Sequence, residues 1–150
     1  MRFDSHALFA ERFAANGITM NQLSVSYAMA ENTFAVTQTP VGEPPNIDRV
    51  NRLTLQHELK AVTSANEAEM EKVVSCGKPI NGVSVKVIDE TGQLLSECHV
   101  GEILVKSNCM LTDYYKRDDL QPFDAEVGIE QAIKGILQMA KFISSGAAKI

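Results

Sequence analysis

From Val73 the pattern changes to β, with clear alternation at Val83 to Val87, and this commits residues from about 73 to 107 to a small antiparallel β unit. Val83, Val85 and Val87 alternate with Ser84 and Lys86 before Ile88, the period of two that gives a strand one apolar face. Asp89-Glu90-Thr91-Gly92 then reads as a turn into Gln93-Leu94-Leu95, as a hairpin requires. Glu102 to Lys106 makes a further strand. The glycines Gly77, Gly82 and Gly92 fit turns between short strands, and their spacing does not match a phosphate-binding loop.

The first half is patterned differently. Residues 4 to 16 carry Leu8, Phe9 and Phe13 at helical spacing, with Asp4 or Ser5 to cap the start. Asn16-Gly17 supplies a left-handed stop, after which Ile18 can pack back over the last turn. A strand is expected at about Leu23 to Tyr27 and a short helical turn near Asn32 to Val36. Thr39 to Asn51 reads as loop, because Pro40, Gly42, Pro44 and Pro45 each interrupt regular structure. Residues 52 to 72 have mixed charge and weak periodicity (Leu53, Leu55, Leu59, Val62) and are expected to form a partly ordered excursion.

Composition narrows the function classes. A chain of 150 residues has the size of one domain. A hydrophobic content of 45% with 22% charged residues is ordinary for a globular protein. The net charge of −5, with no local Lys/Arg cluster to offset it, argues against a nucleic-acid surface. No apolar run approaches the roughly 20 residues of a membrane span, and the start of the chain is not patterned as a secretory signal. Cys76, Cys98 and Cys109 are an odd number without C-x-x-C spacing, which fits reduced thiols in a cytoplasmic protein and neither zinc nor a disulfide framework.

The candidate site is Tyr27-Ala28-Met29-Ala30-Glu31, where a β-prone run (Leu23-Ser24-Val25-Ser26) empties into a turn. In α/β folds, ligand groups collect beyond the carboxyl ends of strands. Glu31 is a carboxylate of the kind magnesium takes, alongside nucleotide phosphates and water; the bland alternative is an exposed acid at a helix start. Tyr27 can present its ring face to a purine or serve as core. Met29 can line an acyl pocket or pack as an ordinary core methionine. His6, His57 and His99 are scattered without Cys or Asp partners and read as surface or satisfied histidines. No Ser-His-Asp or Cys-His arrangement can be assembled, so no residue is assigned as catalytic.

This stretch resembles the Tyr-Gly-x-Thr/Ala-Glu motif of adenylate-forming (AMP-binding) enzymes, and more closely the Tyr-Gly-Met/Leu-Ala-Glu version of fatty acyl-AMP ligases. Two further blocks are similar to the same ligases in the same order: Val74-Ser75-Cys76-Gly77-Lys78-Pro79 through Asp89, and Val100-Gly101-Glu102-Ile103-Leu104-Val105 leading to Tyr114-Tyr115-Lys116-Arg117. The resemblance runs from about Phe3 to about Pro122. It implies that Tyr27, Ala28, Met29, Ala30 and Glu31 line a nucleotide site, with Glu31 facing Mg2+. Ala28 stands where the family usually has glycine, and its methyl would crowd a nucleotide approaching the backbone.

The resemblance also implies an α/β fold: the helix–strand unit of a ligase's large N-terminal domain, then a small antiparallel β subdomain. Residues 1–122 would form the partial ligase domain and residues 123–150 an unrelated tail. In that tail Ile129, Ile133, Ile136, Leu137, Ala140 and Ile143 recur at helical spacing, predicting an amphipathic C-terminal helix that covers apolar surface. The intact family uses ATP and Mg2+ to convert a fatty acid to acyl-AMP and passes the acyl group to a carrier-protein thiol. The family's phosphate loop, Thr-Gly-Asp block and catalytic lysine do not occur in these 150 residues. The expectation is therefore an internal piece of a ligase, inactive alone, that binds neither cofactor tightly and pairs with a complementary ligase fragment or with itself. The alternative is a non-catalytic binding or interaction module that keeps part of the fold.

Overall fold

A computed structural model describes residues 3–117, residue 119 and the backbone of residues 133–135. Helix α1 (Phe3–Arg12) gives way to a 3-10 turn at Ala14–Asn16. Gly17 then adopts φ +81°, and its N–H donates to the Ala14 carbonyl at 2.9 Å, the left-handed stop that Asn16-Gly17 predicts. The predicted inner face of this helix is not its inner face. Leu8, Phe9 and Phe13 are exposed and His6 is buried. The rings of Phe9 and Phe13 lie 4.7 Å apart against each other. Among the described residues, α1 meets the rest of the chain mainly through strand β4 (Met70–Val74) and the 3-10 turn at Met20–Gln22.

Eight strands form three small antiparallel sheets among the described residues. In the first, β1 (Ser26–Ala28), β2 (Ala35–Gln38) and β5 (Lys78–Pro79) lie in the order β1-β2-β5. Tyr27 pairs with Thr37 and Ala28 with Ala35, with a bulge between the two pairs. The short helical turn expected at Asn32 to Val36 lies two residues earlier, at Ala30–Asn32, and Ala35 onward is strand. Val36 is fully buried and Thr37 caps the Cys76 carbonyl at 2.8 Å, so these side chains are better satisfied in a sheet than on a turn.

The second sheet corrects the reading of residues 39 to 72. Ile47–Asn51 forms β3 and pairs in register with β4, from Ile47 opposite Val74 to Asn51 opposite Met70. Between them, helix α2 (Arg52–His57) starts at Asn51, whose side chain accepts from the N–H groups of Leu53 and Thr54. Leu55 anchors the excursion by burying its side chain. The prolines break only the stretch before β3.

The third sheet is the expected β unit. β6 (Val83–Ile88) pairs with β7 (Glu102–Ser107) from Val83 opposite Ser107 to Ile88 opposite Glu102. Gln93-Leu94-Leu95 contributes one bridge, Leu94 to Ile88, rather than a strand. Asp89 closes the turn by accepting from Thr91 Oγ1 at 2.7 Å, Thr91 N at 2.8 Å and Gln93 N at 3.0 Å. The Thr91 hydroxyl, then the Gln93 N–H, hold its carboxyl below the ordinary value. On the far side of β7, Ile133–Gly135 adds as strand β8. Residues 133–135 are therefore not helix, contrary to the periodicity of the tail. β7 carries a second row of backbone donors and acceptors that only a strand can satisfy. The remainder of the predicted helix lies outside the described residues.

The core links the first and third sheets. Val36 of β2 packs with Ile103 and Val105 of β7, flanked by Tyr27, Met29, Val83, Val85 and Met110. Gly77 is required where β5 approaches β2: its φ is +83°, and a Cβ there would lie 2.0 Å from the Gln38 backbone carbon. Gly77→Ala is expected to destabilise the chain by about 3 kcal/mol, read as a lowered midpoint in urea unfolding.

Asp48 carries the opposite expectation. Its Oδ2 is buried without a hydrogen-bond partner among the described residues, and burial raises its pKa. The folded chain then binds more protons than the unfolded one between the two pKa values, so stability falls as pH rises from the unfolded toward the folded value. Asp48→Asn is expected to raise the thermal midpoint at neutral pH and to flatten that acidic-side slope, measured by thermal melts across the acidic range.

Candidate functional site

The sequence-predicted residues sit at the junction of β1, β2 and β7. Tyr27 lies in β1, half-buried, and Ala28 is exposed at the bulge. Met29 leads into the Ala30–Asn32 turn and packs its side chain on the core. The turn closes tightly: Met29 N–H donates to the Phe34 carbonyl at 2.8 Å and Thr33 N–H to the Ala30 carbonyl at 3.0 Å. Thr33 has φ +64°, a conformation a β-branched residue rarely adopts and one that costs about 1–3 kcal/mol.

That strain persists because a distant segment holds the turn. Thr33 Oγ1 donates to the Cys109 carbonyl at 3.0 Å, and Leu111 N–H donates to the Glu31 carbonyl at 2.8 Å. Asn32 is buried; its Nδ2 donates to the Ala35 carbonyl at 2.8 Å, and its Oδ1 accepts from the buried Ser107 hydroxyl. Ser107 Oγ in turn accepts from Cys109 N–H at 3.0 Å. The end of β7 and the loop after it thus grip three successive residues of the turn.

Glu31 is half-buried, and its Oε1 accepts from the Tyr114 hydroxyl at 2.9 Å. Among the described residues its second carboxylate oxygen accepts no hydrogen bond, and no lysine or arginine pairs with it. Burial first, then the hydrogen bond to Glu31 and its charge, push the Tyr114 phenol up. The Tyr27 phenol is also pushed up, by burial and then by the charges of Glu31 and Cys76. Burial raises the Cys76 thiol as well, which keeps it protonated. Tyr27, Glu31, Cys76 and Tyr114 therefore share one neighbourhood.

No group of three or more His, Cys, Asp or Glu side chains that could hold a metal occurs among the described residues. A cation at Glu31 would have to take most of its oxygens from elsewhere. That is the habit of magnesium, which binds through one or two carboxylates with phosphates and water; the free oxygen of Glu31 fits such a minor share. The histidines stay outside the site. His99 Nδ1 lies 3.0 Å from the Glu97 carbonyl within its own loop. His6 is buried in α1, with Nδ1 lacking a partner among the described residues.

The sequence profile of the family described as AMP-binding enzyme matches residues 6–115. The chain is similar to the long-chain-fatty-acid–AMP ligase FadD32 of Mycobacterium marinum, with 28% identity over 112 residues, 74% of this chain and 18% of that protein. It is also similar to the medium-chain-fatty-acid–[acyl-carrier-protein] ligase JamA of Moorena producens, with 31% identity, covering 73% of this chain and 19% of that protein. The chain thus spans less than a fifth of the length of these relatives. Among solved structures, the fatty acyl-adenylate ligases from E. coli and L. pneumophila superpose with a TM-score of 0.78 at 22% identity, over 89% of this chain and 24% of the other. The L. pneumophila ligase in complex with acyl adenylate and pyrophosphate gives 0.73 at 25% identity, over 79% and 21%. The fold is that of part of an adenylate-forming ligase domain, with small antiparallel sheets.

Removing the Ser107 hydroxyl leaves Asn32 Oδ1 buried without its donor. Ser107→Ala is expected to cost about 1–3 kcal/mol and to speed amide exchange at residues 31–34, measured by native-state hydrogen exchange.

Proposed function

Because the chain belongs to the AMP-binding enzyme family, we propose that it carries part of the acyl-adenylate site of a ligase that activates fatty acids with ATP for transfer to a carrier-protein thiol. The observation that supports this most is the half-buried Glu31 carboxylate, held through one oxygen by Tyr114 and free of any basic partner among the described residues. Tyr114 orders the side chain through Oε1, while the other carboxylate oxygen accepts no hydrogen bond among the described residues.

In this reading Tyr27 offers its ring to the purine, and Ala28, Met29 and Ala30 line the nucleotide beside it. Glu31 faces Mg2+, which when bound with ATP neutralises phosphate charge as the acyl-AMP forms. The protein's part in such a phosphate-centred displacement is positioning and charge stabilisation. These 150 residues supply one wall and one carboxylate; the phosphate-binding loop, the Thr-Gly-Asp block and the catalytic lysine would have to come from other ligase polypeptide. Groups that act as a unit lose far more than a proportional share when separated. The three free cysteines fit a reducing, cytoplasmic setting, and no described helix is long and apolar enough to cross a membrane.

Two measurements test the proposal. The 150 residues alone are expected to give no fatty-acid-dependent ATP–pyrophosphate exchange above background. Exchange that disappears in Glu31→Ala would overturn the expected inactivity. In a titration with Mg·ATP followed by amide chemical shifts, the changes are expected to centre on residues 27–31. A complete absence of shifts there at high ligand concentration would favour an interaction module that keeps the fold without the ligand.

A further inference from the structure

We infer that Tyr114 is a positioning residue for Glu31, holding one carboxylate oxygen so that the other stays available to the divalent cation that accompanies a nucleotide. The inference rests on the reading of Glu31 as the cation-facing acid.

A glutamate side chain is long and loses substantial rotamer entropy when ordered. If that ordering happened only on binding, it would subtract from affinity for the cation. Here it is already in place, because Tyr114 Oη donates to Oε1 at 2.9 Å. The backbone is fixed from the same side, since Leu111 N–H donates to the Glu31 carbonyl at 2.8 Å. One segment therefore sets both where the residue stands and how its carboxylate is turned.

The chemistry of the donor matters as much as its position. An arginine or lysine would orient the carboxylate equally well, but its charge would oppose a cation at the second oxygen. A phenol orients through a hydrogen bond and leaves the negative charge in place. Groups that hydrogen-bond a metal ligand typically change metal affinity by about 10–100-fold when removed. Tyr114 has the geometry of such a group, and no other side chain among the described residues bonds to the Glu31 carboxylate.

The test compares ATP binding in Mg2+ and in EDTA for the unmutated chain, Tyr114→Phe and Glu31→Gln, by chemical-shift titration, with a thermal melt for each. The quantity read is the ratio of the two affinities, which a purely structural role for Tyr114 would not move. Glu31→Gln is expected to bring the ratio near unity. Tyr114→Phe, which keeps the ring, is expected to lower it about tenfold with the EDTA affinity unchanged. If the unmutated chain shows no Mg2+ advantage, Glu31 does not face the cation, and the inference falls with that reading. If the unmutated chain and Glu31→Gln behave as expected but Tyr114→Phe keeps or increases the ratio, the inference alone is overturned.

Discussion

The turn that carries Glu31 has no stability of its own; it stands because the end of β7 and the loop behind it grip it. Three residues of helical turn and a threonine held at positive φ would relax if left in water. What prevents this is a set of bonds reaching from Ser107, Cys109, Leu111 and Tyr114 to residues 31–33. Those bonds hold their register only because β7 is fixed in turn, by Ile103 and Val105 packed on Val36. The apolar contact sets the distance between the two sheets, and the polar contacts use that distance.

Closing a loop of more than seventy residues costs entropy that grows only slowly with length. The cost is met mainly by the core. A buried asparagine–serine bond adds little net stability but penalises every arrangement in which either partner is left unpaired. Asn32 and Ser107 therefore act less as glue than as a register mark: sliding β7 by one residue would turn Ser107 away from the turn and Lys106 toward it.

How much of this the sequence displayed depends on whether the partner was near in the chain. β6 was legible from its local alternation and β7 from its short apolar run, and so was the stop at Gly17. β3 and β4 were not, since each pairs with its partner only across an intervening eighteen residues that include helix α2. Residues 133–135 show the converse error, a helical spacing overridden by the unpaired edge of β7. At the site, the turn and Glu31 could be read from the strand that precedes them. Tyr114 could not be given a role, because nothing local links a tyrosine to an acid eighty-three residues away.

Ala28 shows how structure divides a constraint between backbone and ligand. The related ligases that this stretch resembles usually carry glycine at that position, and two causes could explain it: a backbone angle that only glycine tolerates, or close approach of a bound group. Ala28 is paired with Ala35 at a bulge, its φ is not positive, and its side chain is exposed. The backbone therefore does not require glycine here, in contrast to Gly77, where both the angle and the neighbouring chain do. A methyl at Ala28 costs the fold nothing and falls wholly on whatever approaches the strand from outside. The fold therefore accepts alanine at this position, and in the proposed nucleotide site the effect of the methyl would fall on the ligand and not on the strand that presents it.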